Sequence, residues 1–161
     1  MTDVRILVTG PEIMRSGVRG TEPVVVEMLR DASDEIVIVA YIFSTHAEHI
    51  LDLIECAASK GVNIKIIINN INSQATTIVE RLKKLTSEYR HVKIFNFLDP
   101  QNRPLHAKII IVDRRKALVG SANLSWGGMY KNFEIGLLIE GPAAWELARV
   151  VDDLTLLAEE L

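Results

Sequence analysis

The sequence predicts an α/β domain built on a mixed, largely parallel β-sheet with helices on both faces. Three observations carry this expectation. Short runs rich in Ile and Val alternate with amphipathic segments up to residue 97, the pattern of strands joined by crossover helices. The apolar runs 105–112 and 117–119 are parted only by Asp113-Arg114-Arg115-Lys116 and therefore read as a hairpin. The 161 residues contain no linker, repeat or low-complexity stretch, so 1–161 is read as one domain with room for a sizeable core.

Each element follows from local pattern. Residues 4–8 form a first strand that ends at Gly10-Pro11, and 12–20 form a loop. Thr21 is the expected N-cap of a helix running to about Ala32, with Pro23 in its first turn. Residues 35–43 have the β-branched content of a central strand. Ser44 or Thr45 caps a helix whose Ile50, Leu51, Leu53, Ile54 and Ala57 outline one face, and Gly61 stops it. Residues 62–68 and 92–97 are strands, with an amphipathic helix over 73–87 between them. A last strand over 133–139 leads through Gly141-Pro142 into a final helix from about Ala143 to Glu160.

Composition excludes several classes of function. A chain 48% hydrophobic and 24% charged is not globally disordered. Its net charge of −3 argues against non-specific coating of nucleic acid, although a local basic groove is compatible with it. The one cysteine, Cys56, excludes an internal disulfide, fits a reducing compartment, and is expected to be a small buried hydrophobe in the helix 50–60. No apolar run approaches the ~20 residues of a membrane span. The first ten residues have too short an apolar stretch for a signal peptide. A cytoplasmic protein without membrane contact is the expectation.

The chemistry concentrates between His106 and Asn123. His106-Ala107-Lys108 is followed by four apolar residues, Asp113, six more residues and Gly120-Ser121-Ala122-Asn123. Six fixed residues at fixed spacing arise by chance in on the order of one chain in a million. Strand alternation puts His106 and Lys108 on one face, an imidazole beside an ammonium. Asp113 is an odd number of residues from both, so it is read as a structural anchor rather than a catalyst. The hairpin returns Ser121 and Asn123 towards His106, and Gly120 is read as allowing close backbone approach to a bound group. A nucleophilic imidazole, a fixed cation and neutral donors together suit a phosphodiester.

This segment resembles the HKD motif of the phospholipase D superfamily, His-x-Lys-x4-Asp-x6-Gly-Ser-x-Asn, at every specified position. Glu134, 11 residues after Asn123, falls where single-motif nucleases of that superfamily carry a glutamate that orients the catalytic histidine. The motif-level resemblance covers 105–139, about the last third of the chain, and implies a phospholipase D-like fold. It also implies two-step phosphoryl transfer without metal or cofactor. One histidine attacks phosphorus and a second protonates the leaving oxygen. Lys108, Ser121 and Asn123 would hold the non-bridging oxygens, and Glu134 would fix the tautomer of His106.

The motif occurs once, so the resemblance implies a homodimer whose two copies share a site on a two-fold axis. Leu124, Trp126, Met129 and Tyr130 are the expected apolar flank of that contact, with core packing as the competing reading. The implied substrate is DNA or RNA, and the implied activity is that of an endonuclease. No base-reading module is recognisable, so sequence specificity would come from a partner protein. A phospholipase is the second reading, disfavoured by the single motif and by the absence of a membrane-binding stretch. A non-catalytic nucleic-acid-binding module is the third, and it leaves the imidazole unexplained.

Other polar clusters read more plainly. His46 and His49 have no third ligand nearby and mark a surface helix end. His91 has no evident partner. Asn69, Asn70 and Asn72 lie past a strand end, where ligands often sit in α/β sheets, but read first as a turn. Arg114, Arg115 and Lys116 read as a solvated hairpin turn, with nucleic-acid backbone contact as the alternative.

Overall fold

The computed structural model describes residues 1–161. In chain order its strands are β1 (Asp3–Thr9), β2 (Arg19–Gly20), β3 (Glu35–Ala40), β4 (Asn63–Asn69), β5 (Val92–Phe97), β6 (Ile109–Val112), β7 (Lys116–Gly120), β8 (Glu134–Glu140) and β9 (Glu159–Glu160). Its helices are α1 (Thr21–Asp31), α2 (Glu48–Ser59), α3 (Thr76–Glu88) and α4 (Pro142–Thr155).

All nine strands join one mixed sheet in the order β2-β1-β8-β7-β6-β3-β4-β5-β9. The two crossovers through α2 and α3 make β3, β4 and β5 mutually parallel, as the alternating pattern requires. Beyond β3 the sheet is an antiparallel meander of β6, β7 and β8 that closes against β1. Parallel pairing is thus confined to β3, β4 and β5 and to the short β1–β2 contact. Residues 109–112 rather than 105–112 form β6, so His106 and Lys108 precede the ladder in extended backbone. The last helix stops at Thr155, and Glu159–Glu160 adds a short edge strand to β5.

Helices cover both faces, unequally. On one face α1, α2 and α3 bury Val25, Met28, Leu51, Ile54, Ile78 and Leu82 against Ile36, Ile38, Ile66 and Ile110. On the other face α4 lies alone, its Ala144, Ala148 and Val151 packed on Val37, Val39, Ile67 and Ile111. Small residues let this helix lie close to the sheet. It meets β8 only towards Ile139 and not the stretch where register sets Ile6 beside Leu137 and Val8 beside Ile135. Val4, Ile6, Ile135 and Leu137 remain exposed there.

Several local expectations are corrected. Cys56 is exposed, because it lies two residues past Ile54, about 200° around the helix from the buried stripe. Thr21 is the first helical residue and Gly20 the N-cap, with no side-chain capping bond. Ser44 makes no capping bond either, and a short 3-10 turn, Thr45–Ala47, leads into α2. The basic hairpin turn is not simply solvated. Arg114 grips Asp152 of α4 through two bonds of 2.8 and 2.9 Å and Glu35 of β3 at 3.0 Å. These carboxylates raise the Arg114 guanidinium above its ordinary value despite burial, so it serves as a clamp between layers.

Candidate active site

The strand directions bring His106, Lys108 and the Gly120–Asn123 segment together at one end of the strands. Val39 near the end of β3 pairs with Ile109 at the start of β6. Ile109 in turn pairs with Val119 near the end of β7, and Gly120 pairs with Gly136 of β8. His106, Lys108, Gly120, Ser121 and Asn123 therefore line one open cleft of ≈ 650 Å³, with Ile135 and Leu137 on its wall. This is the carboxyl end of the parallel strands, where open α/β sheets place their ligands.

His106 and Lys108 touch. Lys108 Nζ lies 3.1 Å from His106 Nδ1 and donates to the His106 carbonyl at 2.7 Å. A charged ammonium has only donors, so Nδ1 accepts and a neutral ring carries its proton on Nε2. Burial pushes the Lys108 ammonium below its ordinary value, opposed by the negative charge of Glu134. Tyr41, just past β3, completes the group. Its ring centroid is 4.3 Å from that of His106, and Lys108 Nζ stands 5.2 Å above it. An aromatic face there favours the Lys108 cation. Sequence reading missed Tyr41, for which the only signal is its place after a central parallel strand.

The entry to His106 is fixed by side chains from the polar break. Asn69 Oδ1 accepts the Leu105 amide at 2.8 Å. Gln74 donates to the carbonyls of Tyr41 and Asn69 at 3.0 and 2.7 Å and accepts from the Phe43 amide. Asn70 takes a left-handed conformation with φ of 38°, which asparagine tolerates. Asn69 and Gln74 are thus braces for the site. His46 is exposed, His49 meets Glu22 and Tyr130, and His91 bonds the Ala58 carbonyl at 2.8 Å.

The expected role of Glu134 at His106 is not what the structure shows. Glu134 is buried and its carboxylate accepts from the Ser121 hydroxyl and, at 3.1 Å, from Asn132 Nδ2. Strand β8 points this side chain under Ser121, while His106 Nδ1 is occupied by Lys108. Ser121 changes role with it. Its hydroxyl is given to Glu134, and its amide to the Ile135 carbonyl at 3.1 Å, so both donors are used within the fold. Asn123 is different: Oδ1 is buried without a partner, which leaves Nδ2 as the donor on the cleft side.

Gly120 also has a different reason from the expected one. A Cβ there would stand 2.7 Å from Gly136 Cα and 2.8 Å from the Ile135 carbonyl oxygen. The close approach is of strand β8, not of a ligand. Asp113 sits at the far end of β6 from His106, in a left-handed conformation with φ of 53°. Its carboxylate accepts from the amides of Ser33, Asp34 and Glu35 at 2.8–3.0 Å and from the Ser33 hydroxyl at 3.1 Å. Of the expected apolar flank, Leu124 and Met129 are core residues and Trp126 and Tyr130 are exposed. Phe43 bridges Leu124 and draws it inward.

Comparison with known proteins agrees with this geometry. Residues 25–154 match the family described as "Cardiolipin synthase, PLD-like domain". The chain is 30% identical over 156 residues to the DISARM protein DrmC of Bacillus paralicheniformis, covering 95% of this chain and 63% of the relative. It is 29% identical over 139 residues to cardiolipin synthase A of Buchnera aphidicola, covering 85% of this chain but 27% of the relative. The chain thus spans less than two thirds of either relative. In fold it is similar to Nuc, a phospholipase D family member from Salmonella typhimurium, with TM-score 0.80 and 20% identity, over 100% of this chain and 99% of that one. NucT from Helicobacter pylori gives TM-score 0.79 and 21% identity, with 100% of both chains covered. A cleft whose cation and imidazole sit on a mixed sheet of this topology, together with a family match over most of the chain, makes this protein a member of the phospholipase D superfamily, whose members act on phosphodiesters.

Proposed function

We propose that this chain is a metal-independent endonuclease that cuts DNA or RNA through a covalent phosphohistidine, at a site completed by a second copy of itself. The observation that carries the reading is the contact of His106 with Lys108 in an open cleft beside Asn123. Such a cleft admits a polymer backbone.

Lys108 and Asn123 Nδ2 take the non-bridging oxygens of the phosphate. As Lys108 turns to the phosphate it releases His106 Nδ1, which can then hold the ring proton and leave Nε2 as the nucleophile. Nε2 forms a bond to phosphorus while the bond to the leaving oxygen breaks, and an imidazolium from the second copy gives that oxygen its proton. The same ring then takes a proton from water, whose oxygen displaces Nε2 and regenerates His106.

Two observations support nucleic acid over lipid. Nuc and NucT share this fold with TM-scores of 0.80 and 0.79. The exposed Trp126 and Tyr130, with ring centroids 4.5 Å apart, stand just past Asn123 and suit base stacking. For the second copy, the exposed apolar strip of Val4, Ile6, Ile135 and Leu137 continues the wall of the cleft. A two-fold axis beside the cleft buries this strip against itself and delivers the second His106. The chain offers no recognisable base-reading module, so any sequence specificity would come from a partner protein.

The test is incubation with labelled single- and double-stranded DNA and RNA in EDTA, beside His106→Ala. Cleavage that survives chelation and disappears in the variant is expected. Activity lost in EDTA and restored by Mg²⁺ would refute the mechanism, and release of a headgroup from phospholipid vesicles without nucleic-acid cleavage would favour the lipid reading.

A further inference from the structure

We propose that Thr21 at the start of α1 is a positioning residue for Asn123, acting through one water molecule held between them. This rests on the reading of Asn123 as a phosphate ligand. Two oxygens carry the inference: Thr21 Oγ1 and Asn123 Oδ1 are both buried, and neither has a hydrogen-bond partner. Both residues line a single cavity of ≈ 20 Å³ that also touches Tyr41 and Lys108.

Orphaned buried oxygens are rare in native folds because nothing replaces the water they lose. The usual use of a threonine at this place, capping the helix, does not account for Thr21, since no side-chain cap bond is made. A cavity of this size has room for one water, which needs roughly 10–15 Å³ and at least two polar partners. A hydroxyl and a carboxamide oxygen supply them.

The direction of the hydrogen bonds matters for the site. The Thr21 hydroxyl donates to the water, and the water donates to Asn123 Oδ1, so the carboxamide is held with Nδ2 towards the cleft. The flipped carboxamide would make the water accept from both Nδ2 and the hydroxyl, leaving both of its own protons without an acceptor among apolar walls. It would also present an oxygen to the phosphate, where a donor is required. Thr21 thereby selects the orientation of Asn123 that binds an anion, without touching substrate itself. The sequence places the two residues about a hundred positions apart, and only the packing of α1 beside the motif joins them.

The experiment compares Thr21→Val, which keeps the shape and removes the hydroxyl, with Thr21→Ser, which restores it. Hydrolysis of bis(p-nitrophenyl) phosphate gives kcat and KM for each. Thr21→Val is expected to lose roughly tenfold in kcat/KM, Thr21→Ser to recover most of it, and Thr21→Val in an Asn123→Ala background to lose nothing further. Full activity of Thr21→Val beside an impaired Asn123→Ala would overturn the proposal and leave the role of Asn123 standing. Full activity of Asn123→Ala would instead remove the reading beneath it. Should Thr21→Val fail to fold, a high-resolution crystal structure of the unaltered protein decides: density for a water between the two oxygens supports the proposal, and its absence overturns it.

Discussion

Asp113 shows how much of a catalytic motif is structural. Burial pushes its carboxyl upward, yet the amides of Glu35, Asp34 and Ser33 and the Ser33 hydroxyl outweigh this and hold it below the ordinary carboxylate value. A group depressed in the folded state contributes stability that is present above its unfolded value and is lost as pH falls through the folded one. The acid limb of unfolding should therefore shift to lower pH when Asp113 is present and flatten when it is removed. Asp113→Asn keeps the shape but has one acceptor oxygen for several donors, and should cost about 1–3 kcal/mol. Thermal melts between pH 2 and 7 test this. A variant that melts like the parent but has no activity would contradict a structural role.

The elements transmit the same logic to the cleft. Strands β7 and β8 meet at two glycines, and a methyl group on Gly120 would lie inside the contact distance of Gly136 and Ile135. Backbone on both sides leaves little to yield, so Gly120→Ala should force β7 away from β8 and cost about 1–3 kcal/mol. Ser121, Glu134 and Asn123 stand directly beyond this contact. Loss of kcat should accompany the lowered melting temperature, and an active, fully stable Gly120→Ala enzyme would show that the strand contact does not set the site.

At the scale of the whole molecule, the uneven cover of the sheet is the feature with a consequence. Leu137 is 36% and Ile135 62% exposed on a sheet face that α4 leaves open. Neighbouring apolar side chains on such a surface mark a contact with another protein. If the partner is a second copy, sedimentation at micromolar concentration should give about twice the chain mass of 18.0 kDa. Leu137→Glu should produce a folded monomer with no nuclease activity. A monomer whose turnover per chain is independent of protein concentration would refute the shared site and place the second acid–base group within this chain.

The motif and the fold class were legible in the sequence, because both rest on local rules. Alternating apolar runs dictate strands and helices whatever surrounds them, and two-residue spacing alone brings His106 beside Lys108. The partners of Glu134, Ser121 and Gly120 were not legible. Each depends on the register between β7 and β8, which is set by the packing of whole strands rather than by any stretch of residues. Tyr41 was missed for the same reason, since it reaches His106 from an element far away in the chain. Leu124 and Trp126 are both apolar and two positions apart, and the sequence could not tell which is core and which is surface. The bridge of Leu124 to Phe43 decided that, because burial is a property of what the rest of the molecule places opposite a side chain.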